Sequence, residues 1–375
     1  MNKHLAPTYQ CLLNGHVVLW HQNSNNYSVV TSAFVELLGH YLDAKNSEDF
    51  MNSLQNSYGF DEATATKLET DITLQLEAAN ALKDSTPIAP DHYDTALAEI
   101  TKCYQAFNST FKIAAQHKGL LHYVHPALAH LECEDLNNAT TEFYLSENPD
   151  GLHLFLNQQH YGSFPKKDYH LLQGRFVMLL LGAIHHQNDA NWMASFHAST
   201  IAKNGKAVML TGASGKGKST LTALLSFNGF EFVADDVTGM LYPNLEVYSY
   251  PAAISVKAGA FEVLKKTIPE ITTLPLAANH PKGSVKFLPV VQQKASHYPC
   301  QDIVFVHYSP NPITAALKPI STVTALQTLI PDTWLSPKPE HAKAFLDWLP
   351  GLKAYELHYH HNHEAIEIME ALFKN

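Results

Sequence analysis

Two short hydrophobic runs near the amino terminus predict a pair of β-strands. HVVLWH (16–21) and YSVVT (27–31) are rich in β-branched and aromatic residues. The polar stretch QNSNN between them is typical of a turn. The pattern therefore predicts a β-hairpin at the start of the chain.

Three helices are predicted to follow the hairpin. Thr31 or Ser32 is a candidate cap for the first helix, and Ser47 for the second. A third helix is predicted after Asp61, because apolar residues recur there at helical spacing. Those apolar residues are Ala65, Leu68, Ile72, Leu76 and Ala79. Residues 1–85 therefore read as a small α+β domain.

The middle of the chain alternates between strand and helix patterns. Residues 86–100 include much of the turn-rich DSTPIAPDH and are predicted to be a linker. FKIAAQ, TEFYLS and LHLFLNQQ are predicted strands, and residues 169–186 are a predicted apolar helix. Residues 101–375 are accordingly assigned to a second, α/β domain.

A glycine-rich segment between a strand pattern and a helix pattern carries the clearest chemistry. AVMLT reads as a buried strand, GASGKGKS (212–219) fits G-x-x-x-x-G-K-[ST], and STLTALLSF reads as a helix. This is the phosphate-cradling P-loop pattern, in which backbone N–H groups and the helix N-terminus face a phosphate chain. The nucleotide-binding residues it predicts are Gly212, Ala213, Ser214, Gly215, Lys216, Gly217, Lys218, Ser219 and Thr220.

Within this motif the residue types suit Mg·ATP. Lys218 is expected to reach the β- and γ-phosphates, and the Ser219 hydroxyl to bind Mg²⁺. A glycine turn without a ligand is the competing reading.

Two carboxylates follow at the end of the next predicted strand, EFVADD. With the P-loop strand and helix, this strand forms a predicted parallel βαβ unit. Asp235 and Asp236 would then lie beside the P-loop, where open α/β sheets bind ligands. One carboxylate there can hold Mg²⁺, and another can act as general base toward an attacking hydroxyl.

Charge and composition narrow the range of functions. The 375 residues carry a net charge of −10, which argues against a nucleic-acid partner. Residues 1–90 have a net charge of −6, residues 91–200 of −5 and residues 201–375 of +1, so an anionic ligand is expected in the last part. Arg175 is the one arginine of the sequence, so a phosphate clamp must use lysine, histidine and backbone N–H groups.

Cysteine usage and hydrophobicity predict a cytoplasmic protein without a membrane partner. Cys11, Cys103, Cys133 and Cys300 are scattered and form no CxxC, which favours buried or idle thiols in a reducing compartment. The start MNKHLAPTYQ lacks the apolar core of a signal peptide. FVMLLLGAI, residues 176–184, is shorter than the ~20 residues that span a bilayer.

Histidines cluster in ELHYHHNHE near the carboxyl terminus. His358 and His360 are two residues apart on a predicted strand and so share a face, which would let them bind one metal ion; His361 and His363 follow. The competing interpretation is a final strand, AYELHY, that runs into a polar turn and a closing helix. The sequence leaves both readings open.

The amino-terminal pattern resembles PqqD-like proteins, the winged-helix recognition elements of ribosomal-peptide biosynthesis. The resemblance covers residues 10–82 and rests on the strand pair, Tyr27 before the first helix and the acidic third helix. It implies that a leader peptide adds as a strand to the hairpin edge and packs against the third helix. A winged-helix packing or dimerisation module is the alternative.

GASGKGKSTLTALLSFNGFEFVADD resembles the catalytic core of the HPr kinase/phosphorylase family. The resemblance implies a phosphoenolpyruvate-carboxykinase-like fold and ATP-dependent phosphorylation of a seryl hydroxyl. It implies that Asp235 is the general base and Asp236 the metal or phosphate partner, with the division between them left open. His197 in FHAST lies 15 residues before Gly212, where the family has a histidine near the transferred phosphoryl group.

The sequence departs from that family after residue 240. The E-x-R-G-x-G signature of HPr kinases is missing, and YPAAISVKAGAFEVL (250–264) instead resembles HPr-kinase-related proteins found with peptide-modifying gene sets. Lys257, and Lys282 in HPKGSVKFLP, are therefore the candidate phosphate or substrate contacts. The departure makes phosphorylase activity and HPr as substrate unexpected.

The leading interpretation is an ATP- and Mg²⁺-dependent kinase that phosphorylates a Ser or Thr of a peptide or small protein held by the amino-terminal domain. A P-loop small-molecule kinase is one alternative, and a nucleotide-gated peptide-binding scaffold without phosphate transfer is another. The resembled kinases form homo-oligomers, and the sequence leaves the oligomeric state open.

Overall fold

The computed structural model describes residues 1–82, 88–89, 91–134, 138–280, 283–291 and 295–374. The helices are α1 (Ser32–Asp43), α2 (Ser47–Tyr58), α3 (Glu62–Asn80), α4 (Lys118–Leu121), α5 (His125–Leu128), α6 (Tyr169–Ile184), α7 (Lys218–Ser226), α8 (Phe261–Leu264), α9 (Thr322–Leu329), α10 (Pro339–Trp348) and α11 (Asn362–Lys374).

The strands complete a mixed α/β chain. They are β1 (Tyr9–Leu13), β2 (His16–His21), β3 (Asn26–Thr31), β4 (Ile100–Ala106), β5 (Ser109–Ala115), β6 (Glu132–Cys133), β7 (Thr141–Glu147), β8 (Leu152–Leu156), β9 (Gln159–Phe164), β10 (Trp192–Phe196), β11 (Ser199–Lys203), β12 (Lys206–Thr211), β13 (Glu231–Ala234), β14 (Thr238–Leu241), β15 (Glu246–Tyr248), β16 (Ile254–Lys257), β17 (Ala277–His280), β18 (Gly283–Leu288), β19 (His297–Tyr308), β20 (Ala316–Ile320), β21 (Thr333–Leu335) and β22 (Lys353–Tyr359).

The chain divides into two compact units that do not follow the linear domain order. One contains Met1–Ser85 and Ile320–Leu352, and the other contains Thr86–Pro319 and Lys353–Asn375. The sequence interpretation assigned all of residues 101–375 to one domain, so the segment 320–352 is grouped differently in the structure. Within the first unit, Asn25 Nδ2 donates to Leu335 O at 2.8 Å. The rings of Tyr27 and Phe345 pack edge to face, with their centroids 5.4 Å apart.

In the first unit, the predicted hairpin is part of a three-stranded antiparallel sheet of order β1-β2-β3. The sequence pattern did not predict β1. This strand is largely half-buried or exposed, and Leu12 in it is 67% exposed, so it lacks a long buried hydrophobic run. The Thr31 side chain caps α1 and the Asp61 side chain caps α3, as predicted. The prediction for α2 was wrong, because Asn46 caps it by accepting from Asp49 N, while Ser47 Oγ donates to Glu69.

The second unit contains two main sheets. The smaller one has the order β6-β4-β5-β7-β8-β9, and α6 packs against its apolar residues. The predicted strands at FKIAAQ and TEFYLS are confirmed as β5 and β7, and the apolar helix is confirmed as α6. The predicted strand LHLFLNQQ ends earlier, at Leu156 of β8, because Asn157 and Gln158 have left-handed φ angles and turn the chain into β9. The turn 147–151 joins β7 to β8, as the ENPDG sequence favours.

The larger sheet carries the glycine-rich segment. Its strand order runs β13-β11-β12-β19-β15-β14-β10, with β22 parallel to β19 and β20 beside β22. Both β12 and β13 pair antiparallel with β11, so they run in the same direction with one strand between them. The predicted βαβ unit thus has the expected parallel strands, but β11 separates them. Helices α7 and α11 cover one face of this sheet through residues such as Leu221 and Met369.

Helix length and the cysteine thiols were the subjects of two further sequence expectations. None of the helices in the described part of the chain is both long and apolar enough to cross a lipid bilayer. All cysteines are free thiols, but Cys103 and Cys133 lie opposite each other on β4 and β6 with their Sγ atoms 3.1 Å apart. The expectation of scattered thiols therefore does not hold for this pair.

Candidate functional site

The glycine loop, residues 212–217, joins the end of β12 to the start of α7. Gly212, Gly215 and Gly217 have positive φ angles of 132°, 83° and 96°, which L-residues rarely adopt. A Cβ at Gly212 would also lie 3.1 Å from Val306 O, so the loop approaches the neighbouring strand β19 closely. These glycines are therefore required by backbone shape.

Lys218 occupies the first position of α7 and lies along the inside of the glycine loop. Its side chain is 8% exposed, and its Nζ donates to Gly212 O at 2.5 Å. Ala213, Ser214, Gly215 and Lys216 are exposed on the outer part of the loop. Gly217 caps α7 without a side-chain hydrogen bond, so the positive end of the helix faces the loop. Thr220 is half-buried in the first turn.

Asp235 is a buried carboxylate that collects hydrogen bonds from three chain segments. It is 4% exposed, and its Oδ1 accepts from Ser219 Oγ at 3.0 Å and from Ser199 Oγ at 2.5 Å. Its Oδ2 accepts from Ser255 N at 3.0 Å. Asp235 thus connects the first turn of α7 to β11 and β16, and it holds Ser219 beside the glycine loop.

Asp236 has a different environment from its neighbour. Its φ of 67° is left-handed, a conformation that Asp tolerates better than most L-residues. The side chain is half-buried, and Oδ2 accepts from Ser255 Oγ at 3.1 Å. Because the strand ends at Ala234, both carboxylates can reach one site instead of facing opposite sides of the sheet. The structure therefore joins Ser219 to Asp235 and leaves Asp236 more exposed than its neighbour.

Strand β16 brings a lysine to the glycine loop. Lys257 lies two residues after Ser255, on the same face of β16, and its Nζ donates to Ser214 Oγ at 2.9 Å. The predicted phosphate contact Lys257 is thus next to the predicted nucleotide loop. The other candidate, Lys282, lies outside the described residues.

A cavity of about 270 Å³ opens beside the two carboxylates. His197, exposed in the turn between β10 and β11, lines it together with Asp235 and Asp236. The remaining wall is mostly apolar and aromatic and comes from the segments 123–127, 169–177 and 250–253. A lining of this kind suits the apolar part of an organic molecule or side chain, with the polar groups concentrated at one end.

Aromatic contacts hold the cavity wall. The rings of Tyr123 and Tyr169 stack at 5.3 Å, and Gln173 Nε2 donates to Tyr123 O at 2.6 Å. Burial raises the pKa of Tyr250, so its hydroxyl remains protonated at neutral pH. The Tyr250 phenol therefore adds no charge to the wall, and the carboxylates of the cavity are those of Asp235 and Asp236.

The oxygen atoms on this site fit Mg²⁺. Ser219 Oγ and Asp235 Oδ1 are hard oxygen donors 3.0 Å apart, and Mg²⁺ is commonly held by one or two carboxylates with phosphate oxygens and water. The loop glycines, Lys218 and Lys257 form the positive surroundings that a phosphate chain requires. The residues that would hold Mg·ATP are therefore adjacent in space.

Arg175 lies in α6 and forms a bidentate pair with Asp189, at 2.9 and 2.8 Å. Its guanidinium also lies 5.3 Å from the Tyr161 ring. The one arginine of the sequence thus pairs with a carboxylate of its own unit, and the expectation that lysines bind any phosphate stays a prediction.

Sequence reasoning missed Ser199, Ser255 and the cavity. Ser255 lies two residues before Lys257 on the same strand, so the period of a strand could have placed it on the face of a predicted site residue. Ser199 follows the turn that holds His197 and has no such signal. The bonds of both serines to Asp235 depend on the pairing of distant strands, for which the local pattern has no signal.

Comparison with known proteins finds likeness only among solved structures. No family model matches the chain, and no curated protein matches it. Among solved structures, the Hpr(Ser) kinase/phosphatase from Coxiella burnetii is similar at 14% identity and a TM-score of 0.23, over 48% of this chain and 94% of that chain. A likeness with a TM-score of 0.23 does not support a conclusion about function. The functional conclusion therefore depends on the geometry of the site.

Proposed function

We propose that this protein is an Mg²⁺- and ATP-dependent phosphotransferase that phosphorylates a hydroxyl group presented in the cavity beside Asp235 and Asp236. The observation that carries the proposal is the bond from Ser219 Oγ to Asp235 Oδ1, at 3.0 Å. It links the hydroxyl of the G-K-S motif to a buried carboxylate, which is the arrangement that P-loop enzymes use to hold Mg²⁺.

The division of labour between the aspartates follows from their surroundings. Asp235 is buried under hydrogen bonds and touches Ser219, which suits the metal-linked role. Asp236 is half-buried and lines the cavity, which suits a general base that receives the proton of the acceptor hydroxyl. This reverses the division that the resemblance to HPr kinases implied. Negative charge on the transferred phosphoryl group would be stabilised by Lys218, Lys257 and the N-terminus of α7.

Paired asparagine variants test these roles. Asparagine keeps the size of aspartate and also tolerates the left-handed φ of residue 236, so Asp236→Asn should retain the fold and ATP binding but lose phosphate transfer. Asp235→Asn should instead weaken Mg·ATP binding, because it removes the charge beside Ser219. Transfer at the wild-type rate in Asp236→Asn, together with normal Mg·ATP affinity in Asp235→Asn, would contradict both assignments.

The proposed acceptor is a Ser or Thr of a peptide or small protein recognised by the first unit. Its sheet order puts β3 at an edge, and α3 beside it carries acidic residues and Leu74, which is 59% exposed. In this proposal a basic peptide pairs with the edge and extends across α3 over Leu74, and its hydroxyl is held at high effective concentration.

Point variants are the appropriate test of recognition. Deletion of residues 1–85 would remove the packing partners of residues 320–352, which belong to the same unit. Leu74→Lys should raise the KM for peptide phosphorylation, whereas Leu97→Lys, at the same 59% exposure in the second unit, should not. Mass spectrometry of the peptide, at about 80 Da per added phosphate, measures the reaction. Equal KM values for the two variants would reject peptide recognition by the first unit.

A small-molecule kinase is the second candidate, and the cavity is the observation that favours it. Its volume of about 270 Å³ and largely apolar wall are close to the lower end of ordinary small-molecule sites. Phosphorylation of a hydroxylated metabolite in the absence of any peptide would support this function. ATP binding with transfer to neither kind of acceptor would indicate a nucleotide-gated scaffold.

A further inference from the structure

A second cluster of chemically active side chains lies away from the aspartates, on the strand pair β19–β22. These strands are parallel, and their register places His307 opposite His358. The two imidazole rings stack with centroids 4.7 Å apart and an interplanar angle of 11°. Two potential metal ligands from distant parts of the sequence are thereby held side by side.

A carboxylate completes the cluster. Glu356 lies two residues before His358 on the same face of β22, and its Oε2 is 3.0 Å from His358 Nε2. The side chains of Glu356 and His358 are each 35% exposed, so an ion and water can reach them. One ligand atom from each of Glu356, His358 and His307 can be chosen so that all lie within 4.8 Å of one another.

The cluster lies on the opposite sheet face from the hydrophobic core. Val306, Leu357 and Tyr359 alternate with the cluster residues and pack into the core with α7 and α11. The residue after His307, Tyr308, donates its N–H to Lys216 O at 3.2 Å, so the cluster borders the outside of the glycine loop. It is separate from the Ser219–Asp235 contact.

We propose that His307, Glu356 and His358 bind a divalent transition-metal ion of the zinc class, with water in the remaining coordination position. Two imidazoles and one carboxylate are an established ligand set for such ions when a coordination position stays open. The ion would bridge β19 and β22 at the ends where both strands finish.

The ligand types select against hard cations. Mg²⁺ prefers oxygen ligands in octahedral geometry, whereas His307 and His358 offer imidazole nitrogen. Imidazole suits Zn²⁺, and the nearby positive charges of Lys216 and Lys318 act on any divalent ion alike. Mg²⁺ at Ser219 and zinc at this cluster are thus chemically distinct sites.

Only small movements are needed for binding. At metal–ligand distances near 2.1 Å, two ligands of a tetrahedral ion lie about 3.4 Å apart. The three ligand atoms lie within 4.8 Å of one another, so the gap between any two has to close by no more than about 1.4 Å, which rotation of half-exposed side chains can supply.

Zinc titration of the full chain against a chromogenic chelator tests the proposal. Because the chain has 23 histidines, the comparison is between matched variants. His307→Ala, His358→Ala and Glu356→Gln should each weaken the tightest Zn²⁺ site at least about tenfold, the smallest effect seen even when an outer partner of a ligand is lost. Millimolar Mg²⁺ should not displace the zinc.

The double variant His361→Ala/His363→Ala is the control, because both side chains are exposed and close to the cluster in sequence but are not among its ligands. It should keep wild-type Zn²⁺ affinity. The proposal is overturned if the double variant loses the site as fully as His307→Ala does, or if either His307 or His358 can be removed without loss.

Thermal unfolding supplies a second measurement that does not depend on the chelator. Zn²⁺ should raise the Tm of the wild type and of the double control by the same amount, and this increase should be absent in His358→Ala. Circular dichroism in metal-free buffer checks that each variant is folded. A folded His358→Ala protein with the full zinc-dependent increase would also overturn the proposal.

Discussion

Replacement of Gly217 by alanine should damage the nucleotide site much more than the same replacement at Gly215. Both glycines are in the glycine loop and both have positive φ, 96° and 83°. They differ in their surroundings. A Cβ at Gly217 would lie 3.1 Å from the Tyr359 hydroxyl and 3.2 Å from Tyr308 Cβ, whereas a Cβ at Gly215 would meet nothing within 4 Å.

The expected magnitude follows from these two contributions. A left-handed L-residue costs about 1–2 kcal/mol, and both variants share this cost. Crowding in a packed site adds about 1–3 kcal/mol, and only Gly217→Ala has it. The free-energy effect at Gly217 should therefore exceed that at Gly215 by about 1–3 kcal/mol, or roughly fivefold to 150-fold in an equilibrium constant.

The effect can appear as lost stability or as a displaced loop, so two assays are needed. Urea unfolding without nucleotide measures the first, and the dissociation constant for Mg·ATP from calorimetry measures the second. The sum of the two losses is the quantity to compare. Equal sums for Gly217→Ala and Gly215→Ala would refute the argument that Tyr308 and Tyr359 restrict the loop.

Three further predictions concern other parts of the second unit. Lys257→Ala should raise the Kd for Mg·ATP about twofold to fivefold at low salt, or by roughly 0.5–1 kcal/mol, because this exposed lysine contacts Ser214 in the glycine loop. The increase should be smaller at high salt, which screens the charge. An unchanged Kd would show that Lys257 does not contribute to nucleotide binding. Burial lowers the pKa of His185 from 6.5 to about 4, so between about pH 7.5 and pH 5 the unfolded chain takes up a proton that the folded chain does not. The unfolding free energy should therefore fall with pH by about 2 kcal/mol more in the wild type than in His185→Gln, and urea titrations showing the same fall in both would contradict this. Glutathione disulfide should oxidise Cys103 and Cys133 to an intramolecular disulfide with release of two molecules of glutathione, because their Sγ atoms are 3.1 Å apart. Mass spectrometry should show the loss of the two thiol hydrogens, and Cys133→Ser should abolish this loss. The same loss in Cys133→Ser would show that the disulfide forms elsewhere.

Local patterns in the sequence predicted the elements that short-range physics controls. Thr31 and Asp61 are helix caps because their side chains bond amides only three residues away. Helix α7 follows the glycine loop because the positive φ values need glycine, and the apolar spacing that comes next is helical. These features depend on neighbours along the chain, so the sequence is enough to recognise them.

The tertiary structure decided how these elements meet. The insertion of β11 between β12 and β13, the hydrogen bonds that link Asp235 to Ser199 and Ser255, and the pairing of His307 with His358 join residues far apart in the chain. The cap of α2 is Asn46 instead of the predicted Ser47, whose hydroxyl donates to Glu69 on α3. The sequence by itself thus determined which residues can bind phosphate, metal and protons, and strand pairing determined which of them share a site, because period and propensity carry no information on which distant strands become neighbours.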